Sequence, residues 1–359
     1  MSNHFINTVD ISNFKCFESL RVEGLKSVNL IGGKNNIGKT AFMEALELHL
    51  SSKDTSGLTF NLAKMIKRRQ ESIRREGYFE LDFIYANKPK MNIVIDSKKI
   101  EIEYFEDYIK KIDNRNKLVE YFIETQESDT FNEEDTFITH VPILKITFDK
   151  ENRIIPIDKL INRTLIEREQ ENKLTTNFIS SSTTEERQIA VYYGKLINLN
   201  KEEYLNDSLR SFDGNVIALK QIVTERNVVL KLLLADREIP VLLSSLGEGI
   251  NRYIAILCAV WASQNSYLFI DEIENGIHYS NYPKLWHVIF AASKMANCQI
   301  FATTHSKECI EAFNSINEHD EGLYLELYRN KKRNIINIQG REHEQLSYSL
   351  THGGEVRGE

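Results

Sequence analysis

The feature that most restricts the fold is a junction. Val28-Asn29-Leu30-Ile31 closes an apolar run on Gly32-Gly33, and Gly38-Lys39-Thr40 opens a helical stripe. Phe42, Leu46 and Leu50, with Ala41 and Ala45 between them, recur at the spacing of one helix face. Strand, glycine-rich loop and helix therefore follow one another directly. Such a unit needs further strands beside it to bury the apolar run.

A loop of this kind aims consecutive backbone N–H groups and the positive end of the helix dipole at one anion. Gly33 and Gly38 let the backbone curl where a Cβ would obstruct it. Gly33, Lys34, Asn35, Asn36 and Gly38 are the expected cradle. Lys39 is expected to reach the β- and γ-phosphates of a nucleotide, and the Thr40 hydroxyl to ligate Mg²⁺. GxxxxGK[ST] is matched without departure from Gly33 to Thr40. A glycine turn holding no ligand is the plainer alternative, and the strand before and helix after weigh against it.

Tyr267-Leu268-Phe269-Ile270 runs into Asp271-Glu272. An apolar strand ending in an acid sets that carboxylate at the carboxyl edge of a parallel sheet, where ligands of such sheets sit. Asp271 is expected to hold Mg²⁺, directly or through water. Glu272 is expected to polarise the water that attacks the γ-phosphate. Alone this signal is weak, because apolar strands often end in acids; the phosphate loop strengthens it. "IFATTHS" ends another buried strand at His305. A histidine there is commonly a packing or capping residue. Beside Asp271 and Glu272, its imidazole can instead hydrogen-bond the γ-phosphate or the water.

The 359 residues are 42% hydrophobic and 27% charged with a net charge of −7, the balance of a globular chain that buries a sizeable core. That charge argues against a chain coated for nonspecific DNA binding, while leaving room for a local basic patch. Lys64, Lys67, Arg68, Arg69, Arg74 and Arg75 make one such patch on a helix expected from Leu58 to Gly77. A solvated face is its plainer reading and nucleic acid the sharper one. Cys16, Cys258, Cys298 and Cys309 are widely spaced, as for reduced thiols rather than a disulfide framework or zinc site. No apolar run approaches membrane-spanning length and no signal peptide leads the chain, so a cytoplasmic protein without membrane contact is expected.

Period-two alternation in "YFELDFIYA" and "KIEIEYFE" predicts half-buried strands, and "ETQESDTFNEED" an exposed acidic loop. Between Thr184 and Val223, helical spacing through Ile189, Tyr193, Leu196, Leu205, Leu209, Ile217, Leu219 and Ile222 predicts a helical arm. Strands and helices alternate after Ser245, giving an α/β fold with a parallel or mixed sheet core. The expected organisation is an N-terminal lobe (1–175) with the phosphate loop and an antiparallel β subdomain, the arm (176–225), and a C-terminal lobe (226–359).

"LLSSLGEGINR" is the remaining motif, read most plainly as an N-cap and the start of a helix. Together, "ISNFKCFESL", "GKNNIGKT", "FISSS", "SLGEGINR", "DEIENGIH" and "TTHS" resemble the OLD-like ABC-type ATPases, relatives of RecF and of the structural-maintenance-of-chromosomes heads. Ser245, Gly247 and Glu248 match the family's signature, while Leu246 replaces its first glycine. The resemblance implies an ABC-type head with ATP and Mg²⁺ as cofactors, working as a homo-oligomer, at least a dimer. Each signature then faces the other subunit's phosphate loop. It further implies a switch acting with a separate effector protein in anti-phage defence, or a DNA-engaged repair ATPase of the RecF kind. The stretch after His305 is expected to be too short for the Toprim nuclease domain of the OLD type.

Overall fold

Every residue of Val28–Gly33 is buried, as a strand covered on both faces must be. The computed structural model describes residues 5–70, 89–114, 117–122, 136–157, 160, 176–181, 184–223, 228–354 and 356. The chain opens with β1 (Val9–Phe14), β2 (Phe17–Val22), β3 (Val28–Gly33), α1 (Lys39–Leu50) and α2 (Thr55–Gln70). Then come β4 (Lys90–Ile95), β5 (Lys98–Asn114), β6 (Lys117–Phe122), β7 (Thr136–Phe148) and β8 (Glu151–Pro156). The middle holds β9 (Thr176–Ile179), α3 (Glu186–Asn198), α4 (Glu202–Phe212), β10 (Val216–Val223), β11 (Val228–Leu234) and β12 (Val241–Leu242). Last are α5 (Glu248–Ala262), β13 (Tyr267–Ile270), α6 (Tyr282–Ala296), β14 (Gln299–Thr303), α7 (Lys307–Ile316), β15 (Gly322–Asn330), β16 (Ile335–Arg341) and α8 (His343–Thr351).

The fold is α/β. The chain divides into two units, one of Met1–Asp10, Ser19–Leu50 and Leu174–Glu359, the other of Ile11–Glu18 and Ser51–Lys173. Residues 1–175 thus divide between both units, and Ser19–Leu50, with the phosphate loop, belongs with the C-terminal half. The first unit is built on a sheet of order β16-β15-β3-β14-β13-β9. Its strands run parallel from β15 to β9, and only β16 is antiparallel. β3, from near the N-terminus, lies between two strands from the far end of the sequence. The carboxyl ends of β3, β13, β14 and β9 therefore share one edge. α1 packs over β3, β13 and β14. α5 is buried from Arg252 through Trp261 and packs against α3 and α6, so it is apolar nearly all round rather than striped. The second unit contributes the antiparallel run β4-β5-β7-β8, with β6 also on β5.

The expected helical arm is corrected. α3 and α4 bury Ile189, Tyr193, Leu196, Leu205 and Leu209 in the same core as α5 and the parallel sheet. Val216–Val223, read as helix, is strand β10, antiparallel to β11. Its register shifts at Val216/Ala218, and Ile217 and Ile222, which share a helical spacing with buried Leu219, are exposed on the strand. β-branched Val216, Ile217, Ile222 and Val223 favour the strand. α2 carries Lys64, Lys67 and Arg68, whereas Arg74 and Arg75, "YFELDFIYA" and "ETQESDTFNEED" lie outside the described residues. Among the described residues no helix is long and apolar enough to cross a membrane.

Candidate functional site

The phosphate loop turns where the sequence allows it. Gly33 has φ +145°, and a Cβ there would lie 2.5 Å from the Leu327 carbonyl oxygen on neighbouring β15. Gly38 has φ +104° and Asn36 φ +59°, the latter a left-handed conformation that asparagine tolerates. Lys34, Asn35 and Asn36 are exposed, while Lys39 turns inward. The Lys39 ammonium donates to the Gly33 carbonyl at 2.7 Å and the Lys34 carbonyl at 2.8 Å, and lies 3.1 Å from His305 Nδ1. Burial pushes its pKa down to about 8, against the pull of Glu274, Asp271 and Glu272.

Asp271 follows the last residue of β13. Its carboxylate accepts from Thr303 Oγ1 at 2.7 Å, and both its oxygens lie 3.3 Å from Thr40 Oγ1. Burial raises the Asp271 pKa, opposed by the Thr303 hydrogen bond. Thr40 and Asp271 converge from different elements, and this hydroxyl–carboxylate pair is a hard oxygen donor set suited to Mg²⁺. Among the described residues no three His, Cys, Asp or Glu side chains gather into a metal-binding group. Mg²⁺ here would thus rely on these two oxygens, phosphates and water, as Mg²⁺ commonly does.

Glu272 has φ +49°, a strained value for a residue bearing a Cβ. Three contacts hold it. Its N–H donates to Thr303 Oγ1 at 2.8 Å, its Oε2 accepts from Asn275 Nδ2 at 2.7 Å, and its Oε1 lies 3.2 Å from His305 Nε2. Lysine has only protons to give, so the contact with Lys39 makes Nδ1 of a neutral His305 the acceptor. Nε2 then carries the proton and donates to Glu272. The imidazole thus joins the phosphate-loop lysine to the carboxylate after Asp271. Lys39, Thr40, Asp271, Glu272 and His305 are brought together from three strand exits.

Ser245, Gly247 and Glu248 are exposed at the start of α5 and are not part of this cluster. They precede a close approach. A Cβ on Gly249 would lie 2.6 Å from the Gly276 carbonyl oxygen, so the α5 N-terminus rests directly on the turn after Glu272. One helical turn on, buried Arg252 donates to the carbonyls of Ser180, Asp271 and Glu272. Arg252, Thr303, Glu274 and Asn275 carry no role in the sequence reading. An arginine inside "INRYIAIL", where a core helix is otherwise apolar, is the one signal that could have flagged the first. Arg252→Met should remove the guanidinium donors of those carbonyls and destabilise the fold by about 2–4 kcal/mol. Thermal unfolding should read this as a fall of roughly 3–5 °C.

The chain matches, over residues 28–311, the family described as "AAA domain, putative AbiEii toxin, Type IV TA system". It belongs to that family, and it is an ATPase of the P-loop class. It is 28% identical over 333 residues to a protein of Helicobacter pylori named "ATP/GTP phosphatase", an alignment covering 87% of this chain and 88% of that protein. It is 32% identical over 94 residues to an uncharacterised protein of Methanocaldococcus jannaschii, covering 25% of this chain and 40% of that one. Among solved structures it is similar to an SMC head bound to the C-terminal winged-helix domain of ScpA. That match has a TM-score of 0.49 and 13% identity, covering 95% of this chain and 99% of the other.

Proposed function

We propose that this chain hydrolyses ATP with Mg²⁺ at the shared edge of β3, β13 and β14. One observation carries the reading: Lys39, Thr40, Asp271, Glu272 and His305 meet there within contacts of 3.3 Å or less. Loop N–H groups from Gly33 to Gly38 and the N-terminus of α1 cradle the phosphates. Lys39 exchanges its loop carbonyls for β- and γ-phosphate oxygens. Thr40 and Asp271 hold Mg²⁺, which when bound neutralises phosphate charge. Glu272 accepts the proton of the attacking water, and His305 orients that water or the γ-phosphate. Phosphate release from Mg·ATP by the purified chain tests this directly, and its absence would refute it. A phosphate draws the Lys39 pKa back up. ATP affinity should therefore fall as pH rises past about 8, by roughly tenfold in Kd per further unit. Calorimetric titration on both sides of that value checks it, and a flat profile contradicts the role of Lys39.

The wider reading is an OLD-like switch. Two copies close head to tail, with Ser245, Gly247 and Glu248 of each against the nucleotide of the other. ATP-bound closure holds an effector protein and turnover releases it, in bacterial anti-phage defence. The combined motifs, the exposure of the signature residues and the family description support this. Ser245→Arg should block ATP-dependent association, read by light scattering, while ATP affinity stays within about threefold, because the new side chain fills the gap between heads. Association equal to that of the unaltered chain would leave "SSLGEG" a helix cap. Turnover stimulated by duplex DNA and falling steeply with salt would favour the RecF-like alternative instead.

A further inference from the structure

Glu274 lies in the turn after β13, three residues beyond Asp271, and nothing so far gives it a function. Its Oε1 accepts from the main-chain N–H of His305 at 2.6 Å, across to the turn after β14. Its Oε2 is buried and has no hydrogen-bond partner among the described residues. Both flanking turns are otherwise tied. Ile273 N–H donates to the Thr303 carbonyl at 3.0 Å, Glu272 N–H to Thr303 Oγ1, and Ser306 N–H to Thr304 Oγ1 at 3.1 Å. Ser306 Oγ caps α7 by accepting from Cys309 N–H at 3.0 Å. The His305 N–H falls between strand and helix, and a buried N–H must find an acceptor. Glu274 supplies it.

We infer that Glu274 is a positioning residue for His305, setting the imidazole where it spans Lys39 and Glu272. The inference rests on the roles proposed above for His305 and Glu272. The ring meets its two partners at 3.1 and 3.2 Å, the long end of the ordinary hydrogen-bond range, so a shift of its backbone lengthens and weakens one contact. What matters is the reach of the acceptor rather than its charge. A carboxylate or an amide of glutamate length satisfies the N–H, and a shorter acid does not.

The test crosses reach with charge. Glu274→Gln keeps the reach and loses the charge; Glu274→Asp does the reverse; Glu274→Ala loses both. ATP turnover and ATP affinity are measured on each, with Glu272→Gln and His305→Ala alongside. Glu274→Asp, which keeps the charge that pulls on Lys39, should lower kcat by at least about tenfold with the ATP Kd within about threefold; Glu274→Ala should lower kcat as far, whereas Glu274→Gln should keep kcat within about threefold. Thermal unfolding identifies any variant that fails to fold, and the folded members of the series decide. Wild-type kcat in Glu274→Ala, or loss in Glu274→Gln with activity in Glu274→Asp, overturns the inference. If Glu272→Gln and His305→Ala also hydrolyse ATP normally, the proposed chemistry of the site falls instead.

Discussion

Lys39→Ala is expected to abolish ATP binding while leaving the fold as stable or more so. The lysine is buried, and its ammonium is satisfied by two loop carbonyls and His305 rather than by a carboxylate contact. Its pKa is depressed to about 8 from 10.5, so the folded state carries an unfavourable charge at neutral pH. The sign follows from linkage. Below pH 8 both states hold the proton and the full cost applies; it fades as pH rises from the folded value towards the unfolded one. That cost is about 3 kcal/mol. Removing the side chain relieves it and removes the charge facing the β- and γ-phosphates. ATP affinity should drop at least about 100-fold and turnover should fall to background. Such stored cost at a working site is a common trade of stability for function. Calorimetry and thermal unfolding on one preparation check both halves, and near-native affinity would contradict the phosphate-loop assignment.

Glu272→Gln should separate binding from chemistry. Both carboxylate oxygens accept, one from Asn275 and one from His305, and the isosteric amide keeps the shape while accepting from only one of them. It cannot take the proton of an attacking water. Turnover should fall by about 10²–10⁴-fold while ATP affinity stays close to that of the unaltered chain. The ATP-closed dimer proposed above should also accumulate in this variant. Unchanged turnover would remove Glu272 from the role of base. Lost affinity would mean that the carboxylate serves binding rather than proton transfer.

These two residues were legible in the sequence because each follows a short apolar run, Lys39 by way of the glycine loop and Glu272 directly after Asp271. "SVNLIGG", "YLFIDE" and "IFATTHS" read as buried strands with polar ends, and all three are neighbours in one parallel sheet. Other parts were hidden for physical reasons. β1 and β2 directly precede β3 and join β4 in another sheet, a pairing that periodicity does not report because it reads burial. Exposed Ile217 and Ile222 on β10 gave a strand the spacing of a helix. α8 starts on a capping box of Glu342 and Gln345 and buries only Leu346, so no apolar stripe announces it. The contacts of Arg252 with Ser180 and Asp271, and of Glu274 with His305, join residues far apart in the chain. No local pattern announces such pairs.

The most direct test of the central claim is phosphate release in a single turnover, with Mg·ATP mixed against excess protein and bound nucleotide followed in the same samples. The unaltered chain should bind ATP and release one phosphate per ATP. Glu272→Gln should hold the ATP without releasing phosphate, and Lys39→Ala should do neither. Equal release from all three chains would place hydrolysis elsewhere and contradict the assignment of the site.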